Sequence, residues 1–306
     1  MFSRLFLSCF LLLSLSTDSI AEQTEQPIHG SLEPTETKYV ARSQWMKRLP
    51  QDALLSNLSI PGTHDSAALH NGFSFGFARC QSLTLREQLD LGIRFLDIRC
   101  RHQNDRFQIY HGVINQRISF AEVMQVCDAF LDENPSECLL ISVKEESKSE
   151  AITRDFQATF LEETKPYRQR WYTAEVTPSV GTARGKIVLI DRVGNLGGLN
   201  WVKMNLQDDY QALPEVKKQK IAQHLDATRD GGFDQWFLNY ASGTVPSRLI
   251  NPESYASLIN PFLLSQVNQR QGDRLGVVVM DFPSEEIVEK IIESNRFPRS
   301  QNVDRE

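Results

Sequence analysis

Three apolar runs in this chain each deliver one side chain suited to phosphoryl chemistry. Leu58-Ser59-Ile60-Pro61-Gly62-Thr63-His64-Asp65 ends on His64 behind a rigid Pro-Gly turn. Arg94-Phe95-Leu96-Asp97-Ile98-Arg99 delivers Arg99, and Ile109-Tyr110-His111-Gly112 delivers His111 beside a glycine. Histidine titrates near neutrality, so one imidazole of a pair can be the neutral base while the other is the charged acid. The planar fork of arginine suits the oxygens of a phosphate. Together they are the parts needed for attack of a hydroxyl on a phosphodiester with protonation of the leaving oxygen. Each also has a plainer reading: a loop-capping role for either histidine, and for Arg99 a salt bridge to Asp97 or Asp65. Asp281, after Val277-Val278-Val279-Met280, can orient a histidine or cap the helix that follows it.

Such side chains need strands to position them. Nearly continuous apolar runs predict strands over residues 58–60, 94–98, 107–110, 139–143, 187–190, 202–206, 236–239 and 276–280. Helix signals lie between several of them. Thr84-Leu85-Arg86-Glu87 and Ser119-Phe120-Ala121-Glu122 are capping boxes, Gly92 is a stop, and Ile287, Val288, Ile291 and Ile292 form one apolar stripe. Strands alternating with helices predict an α/β fold with a parallel (β/α)8-type barrel. Most strands then end in polar residues: His64 and Asp65, Asp97 and Arg99, His111, Lys144, Asp191 and Arg192, Asp208, Asn239, Asp281. In a barrel, that rim is where active sites are built.

The 306 residues suffice for one barrel with short additions. Residues 1–21 read as a signal peptide, with Arg4, an apolar stretch over 5–15 and the small-x-small site Ser19-Ile20-Ala21. A polar arm follows over 22–40, then the catalytic barrel over 41–295 and a tail over 296–306. The mature protein is expected to be secreted, to the periplasm or the medium, without a membrane span. A net charge of -6 argues against nucleic-acid binding, so an anionic substrate must be held by a few local cations. Oligomerisation is not implied. Cys9 leaves with the signal, and Cys80–Cys100 and Cys127–Cys138 are the preferred pairings of the rest, buried free thiols being the alternative.

The motifs His64-Asp65, Asp97-Ile98-Arg99 and Tyr110-His111-Gly112, in this order and followed by Ser142-Val143-Lys144-Glu145 and Met280-Asp281-Phe282-Pro283, resemble the X region of the phosphatidylinositol-specific phospholipase C family. The resemblance implies a distorted TIM-type (β/α)8 barrel. It implies that phosphatidylinositol is cleaved to diacylglycerol and 1,2-cyclic inositol phosphate. His64 would take the proton from the inositol 2-hydroxyl, His111 would protonate the diacylglycerol oxygen, and Asp281 would pair with His64. Arg99 would neutralise the phosphate, with Asp65 tuning Arg99 or assisting the acid. Lys144, Arg192, Asp97, Asp208 and Tyr210 correspond to residues that hold inositol. Calcium-using members carry an asparagine after the first histidine and acids on the second strand. Here Asp65 and Arg99 stand there, so the chain resembles the bacterial branch, and no metal or other cofactor is expected.

The implied partner is phosphatidylinositol in a membrane surface, engaged peripherally and transiently. Phe73, Phe75 and Phe77, and the apolar tip Phe262-Leu263-Leu264, are candidates to wet that surface, the plainer reading being that the phenylalanines cover the barrel. Two other functions compete. A metal-dependent glycerophosphodiesterase or sphingomyelinase D-like enzyme needs an acid-x-acid pair that Asp97-Ile98-Arg99 breaks. A catalytically silent inositol-lipid-binding domain has no need of both histidines, Arg99 and Asp281.

Overall fold

Valine, isoleucine and leucine fill the strands so evenly that both faces of the sheet must be covered. A computed structural model describes residues 41–295. Its strands are β1 Ile60–Thr63, β2 Phe95–Gln103, β3 Arg106–His111, β4 Ile114–Ser119, β5 Leu139–Glu150, β6 Trp171–Tyr172, β7 Ile187–Asp191, β8 Leu199–Asn200, β9 Asn205–Gln207, β10 Phe237–Tyr240 and β11 Val277–Met280. The helices are α1 Leu85–Leu91, α2 Phe120–Glu133, α3 Phe156–Thr164, α4 Val180–Ala183, α5 Pro214–Asp230, α6 Pro252–Gln269 and α7 Glu285–Glu293. The parallel sheet runs β6-β7-β5-β2-β1-β11-β10-β9. Two-residue strands β6 and β8 share the far edge of β7, and no pairing joins that edge to β9 among the described residues. The sheet is therefore a curled barrel left open along one seam, which is its distortion.

Period-two alternation sorts the side chains. Phe95, Leu140, Val188, Leu238 and Val277 pack inside the curl, while Leu96, Ile98, Ile141, Leu189 and Val278 pack outward against the helices. On β2 the inward series continues from Phe95 to Asp97 and Arg99, so one strand supplies both core and site. Gly62 lets β1 approach, because a Cβ there would lie 2.8 Å from the Phe95 ring. The N-terminal mouth is closed by 3-10 turns at Arg42–Arg48 and Leu55–Asn57, whose Trp45 and Met46 donate to Gly92 and Glu137 just ahead of β2 and β5. Both capping boxes form, and Gly92 ends α1 in the left-handed region at φ 116°.

Several expectations need correction. The run over 107–110 is not a barrel strand. It lies in β3, antiparallel to β2, with β4 completing a three-stranded flap. Asn104 and Asp105 both have positive φ, the two-residue turn that matches strand twist. The first strand begins at Ile60 rather than 58, and the run over 202–206 divides into a 3-10 turn, Trp201–Lys203, and β9. The preferred disulfides do not form: Cys80, Cys100, Cys127 and Cys138 are buried free thiols. The pairing of Cys127 with Cys138 fails because they belong to core clusters on opposite faces of the sheet. The expected signal peptide, polar arm and tail, with Cys9, lie outside the described residues. Among the described residues no helix is long and apolar enough to cross a membrane.

Candidate active site

Strand register brings the site together. Thr63 of β1 is level with Met280 of β11, and His64 N donates to Met280 O at 2.9 Å, so the next residues on each strand meet. His64 Nδ1 lies 2.8 Å from Asp281 Oδ1. Gln81 clamps the junction by donating to the carbonyls of His64 and Met280, and Asn260 donates to those of Asp281 and Phe282. Nδ1 is thereby engaged, which leaves Nε2 as the nitrogen presented to a substrate. Burial and the nearby Arg99 cation hold His64 well below its ordinary value, so the imidazole is neutral at pH 7.

The β2–β3 hairpin carries His111 back over the barrel mouth. Its ring lies 6.4 Å from that of His64, centroid to centroid, at 88°. Its Nδ1 donates to Ala78 O at 3.1 Å and stands 3.6 Å from Asp65 Oδ2. Asp65 adopts φ 44°, a strained conformation for a residue with a side chain. Burial pushes its carboxyl up to about 6.

Arg99 lies among three carboxylates. Asp97 Oδ2 accepts from its Nη2 at 3.0 Å and its Nε at 3.1 Å, while Asp65 Oδ2 is 3.4 Å and Glu146 Oε2 3.7 Å from Nη1. Arg192 donates to Asp97 Oδ1 at 2.9 Å and stacks on Trp201 with 4.0 Å to the ring centroid. Burial opposes the charge on Asp97, yet the two guanidiniums outweigh it and hold the carboxyl well below its ordinary range. Both Asp97 oxygens are thus already occupied. This carboxylate positions Arg99 and Arg192.

Lys144, level with Arg99 on β5, pairs with Glu146 Oε2 at 2.7 Å, and Glu146 Oε1 accepts from Gly112 N at 3.0 Å. Asp208 stands after β9, its carboxyl raised by burial and countered by Lys217. Tyr210 lies farther out: half-exposed, it has no side-chain bond to the cluster among the described residues. Phe73 and Phe75 are 77% and 93% exposed on the loop after β1, which overturns the reading that they cover the barrel. Phe77 is half-buried. Residues 262–264 are no tip: they lie on α6, with Leu263 fully buried and Phe262 and Leu264 packed on the outer core.

Sequence reasoning missed Glu146, Lys217 and Cys80. Glu146 was within reach, because it follows Lys144 by two on one face of a strand. Lys217 stands on the buried stripe of α5 with Ile221, His224 and Leu225, and burial lowers its ammonium to about 8. A lysine in a core stripe is itself a signal. Nothing local marked Cys80, which reaches the site because its loop folds back to bond Ala68 and Phe282.

The fold and site define a (β/α) barrel fitted for phosphodiester chemistry, with two histidines facing each other and a buried guanidinium beside them. Residues 55–193 match the family model described as phosphatidylinositol-specific phospholipase C, X domain. The chain is 30% identical over 289 residues to the 1-phosphatidylinositol phosphodiesterase of Listeria monocytogenes, covering 84% of this chain and 86% of that one. It is 25% identical over 292 residues to the enzyme of that name from Staphylococcus aureus, covering 82% and 94%. The solved structure of the Listeria monocytogenes phosphatidylinositol-specific phospholipase C superposes with a TM-score of 0.76 at 28% identity, covering 84% of this chain and all of that one. The chain belongs to the phosphatidylinositol-specific phospholipase C family.

Proposed function

We propose that this protein cleaves phosphatidylinositol by intramolecular attack, releasing diacylglycerol and 1,2-cyclic inositol phosphate. The observation that carries this reading is the pair His64 and His111 facing each other across 6.4 Å, one oriented by Asp281 and the other beside Asp65, with Arg99 between the strands that deliver them. His64 Nε2 accepts the 2-hydroxyl proton as that oxygen bonds to phosphorus. The bond to the diacylglycerol oxygen breaks, and His111 supplies the proton that oxygen needs. Protons gained and lost balance, and solvent returns each imidazole to its starting state. Arg99 stabilises the charge gathering on the phosphoryl oxygens. Lys144, Arg192 and Asp208 face the inositol ring, and Tyr210 reaches it from the rim.

The reaction needs no metal in this reading. Three carboxylates that would suit a divalent ion converge on Arg99, whose fixed charge takes that place. The two names carried by the relatives, 1-phosphatidylinositol phosphodiesterase and phosphatidylinositol-specific phospholipase C, support the substrate. The substrate lies in a bilayer, and exposed Phe73 and Phe75, with Val113 beside His111 and Leu249 on the loop after β10, suit brief peripheral contact with lipid. Export after removal of residues 1–21 completes the proposal; mass spectrometry of the secreted chain, starting at Glu22, tests it. The function is tested by incubating the protein with phosphatidylinositol vesicles in chelator and identifying the inositol product. Cyclic phosphate supports the reading, and its absence refutes it.

A further inference from the structure

Cys80 has no part in the acid–base reading, yet it stands inside the site. Its Sγ is 3.7 Å from His111 Nδ1, and Asp65 Oδ2 is 3.6 Å from the same nitrogen. Sulfur, nitrogen and carboxylate oxygen all lie within 4.8 Å of one another. Cys80 is held in place on both sides of its backbone, donating to Ala68 O and accepting from Phe282 N. Asp65 is fully buried, and neither of its carboxylate oxygens accepts a hydrogen bond. The carboxylate, whose cationic neighbour is Arg99 at 3.4 Å, thus shares a small space with a thiol and an imidazole nitrogen, three atoms of the kinds that bind a metal ion.

The spacing fits a particular class of ion. Zinc bonds of about 2.3 Å to sulfur and about 2.0–2.1 Å to nitrogen and oxygen, arranged tetrahedrally, place ligand atoms roughly 3.3–3.6 Å apart. The two distances to His111 Nδ1, 3.7 and 3.6 Å, need only a slight closure, and the sulfur and the carboxylate oxygen lie within 4.8 Å. A thiolate and a carboxylate also neutralise a divalent ion, with a neutral imidazole as third ligand. Calcium and magnesium prefer all-oxygen surroundings and do not suit sulfur. We propose that Asp65, Cys80 and His111 form an inhibitory site for a thiophilic divalent cation, with zinc as the natural ion and cadmium as a probe. On binding, the Cys80 thiol and the His111 Nδ1 each give a proton to solvent, and the ring keeps only its Nε2 proton. His111 is then no longer an imidazolium with a proton to give, and Asp65 is drawn from Arg99. The inhibition rests on the function proposed above; the binding does not.

The metal-free protein is titrated with cadmium without substrate, following the ultraviolet thiolate-to-cadmium absorption. Zinc inhibition of phosphatidylinositol cleavage is measured beside it. Wild type is expected to bind one cadmium with a thiolate band, and to lose activity in zinc and regain it in chelator. In Cys80→Ala the band disappears and half-inhibition requires at least about tenfold more zinc, as loss of a ligand should give. Cys127→Ala, altered deep in the outer core, keeps both responses. Circular dichroism checks that Cys80→Ala folds, and the wild-type titration decides even if it does not. Absence of a thiolate band in wild type, or a band and inhibition unchanged in Cys80→Ala, overturns the proposal. A protein that cleaves lipid in chelator but ignores zinc refutes this inference alone. One that binds cadmium through Cys80 without cleaving lipid refutes the function instead.

Discussion

Arg99 Nη1 stands 3.4 Å from Asp65 Oδ2, linking the guanidinium on β2 to the strained residue that follows His64. Asp65 also lies 3.6 Å from His111 Nδ1, so one carboxylate faces both the anion clamp and the acid. Any charge gathered on a phosphate near Arg99 is therefore felt at His111 through Asp65.

Replacing Arg99 by lysine keeps the charge and loses the fork that Asp97 holds. Arg99→Lys should lower kcat by roughly 10²–10³-fold, the usual loss for one preorganised donor to a developing oxyanion. Added calcium should not restore it. A variant with wild-type kcat would remove Arg99 from the transition state.

Asp281→Asn keeps the shape of the His64 contact and replaces the carboxyl by an amide. A loss of kcat approaching 10⁴-fold is expected by analogy with other histidine–carboxylate pairs. Because His64 is held below its ordinary value, it stays neutral as pH falls past about 6.5. The wild-type profile of kcat/KM in chelator should then stay flat to below that pH before its acidic limb appears. An acidic limb that begins above pH 7 would contradict His64 as the base.

Asp97 ties Arg99 to Arg192 from a fully buried position. Removing one partner of such a network costs about 3–5 kcal/mol, so Asp97→Asn should unfold at markedly lower denaturant concentration at pH 7. The folded carboxyl is depressed, so its contribution is present above the unfolded value of about 3.9 and fades as pH falls toward the folded one. Unfolding curves at pH 7 and pH 3 should show the gap between variant and wild type narrowing in acid. A gap that widens in acid would reverse the assigned sign.

Phe73→Ala and Phe75→Ala change side chains that are mostly exposed. Each should weaken vesicle binding by about tenfold or more, since burying a phenylalanine contributes roughly 1.5–3 kcal/mol. Turnover of a soluble, short-chain substrate should be unaltered. Unchanged partitioning onto vesicles would exclude these residues from lipid contact.

Much of the site was legible because β2 obeys a simple alternation: Phe95, Asp97 and Arg99 share a face, and only the last two pass the core layer. The polar endings of the strands likewise marked the rim. The hairpin is hidden in the sequence because Phe107 and Ile109 are as apolar as barrel residues, and only the turn at Asn104-Asp105 distinguishes them. The meeting of His64 with Asp281 depends on β1–β11 register between residues far apart in sequence, which the family resemblance implied and local pattern did not. The cysteines could not be paired by spacing, because which face of the sheet each one occupies is a tertiary fact.

The central claim is that two histidines and a guanidinium, without a metal, perform an intramolecular phosphoryl transfer. Phosphorus NMR of phosphatidylinositol vesicles treated with the protein in excess chelator tests this most directly. The account predicts a 1,2-cyclic inositol phosphate resonance that grows with time and is lost in His64→Ala and in His111→Ala. Cleavage that stops in chelator, or that continues undiminished in those two variants, would contradict it.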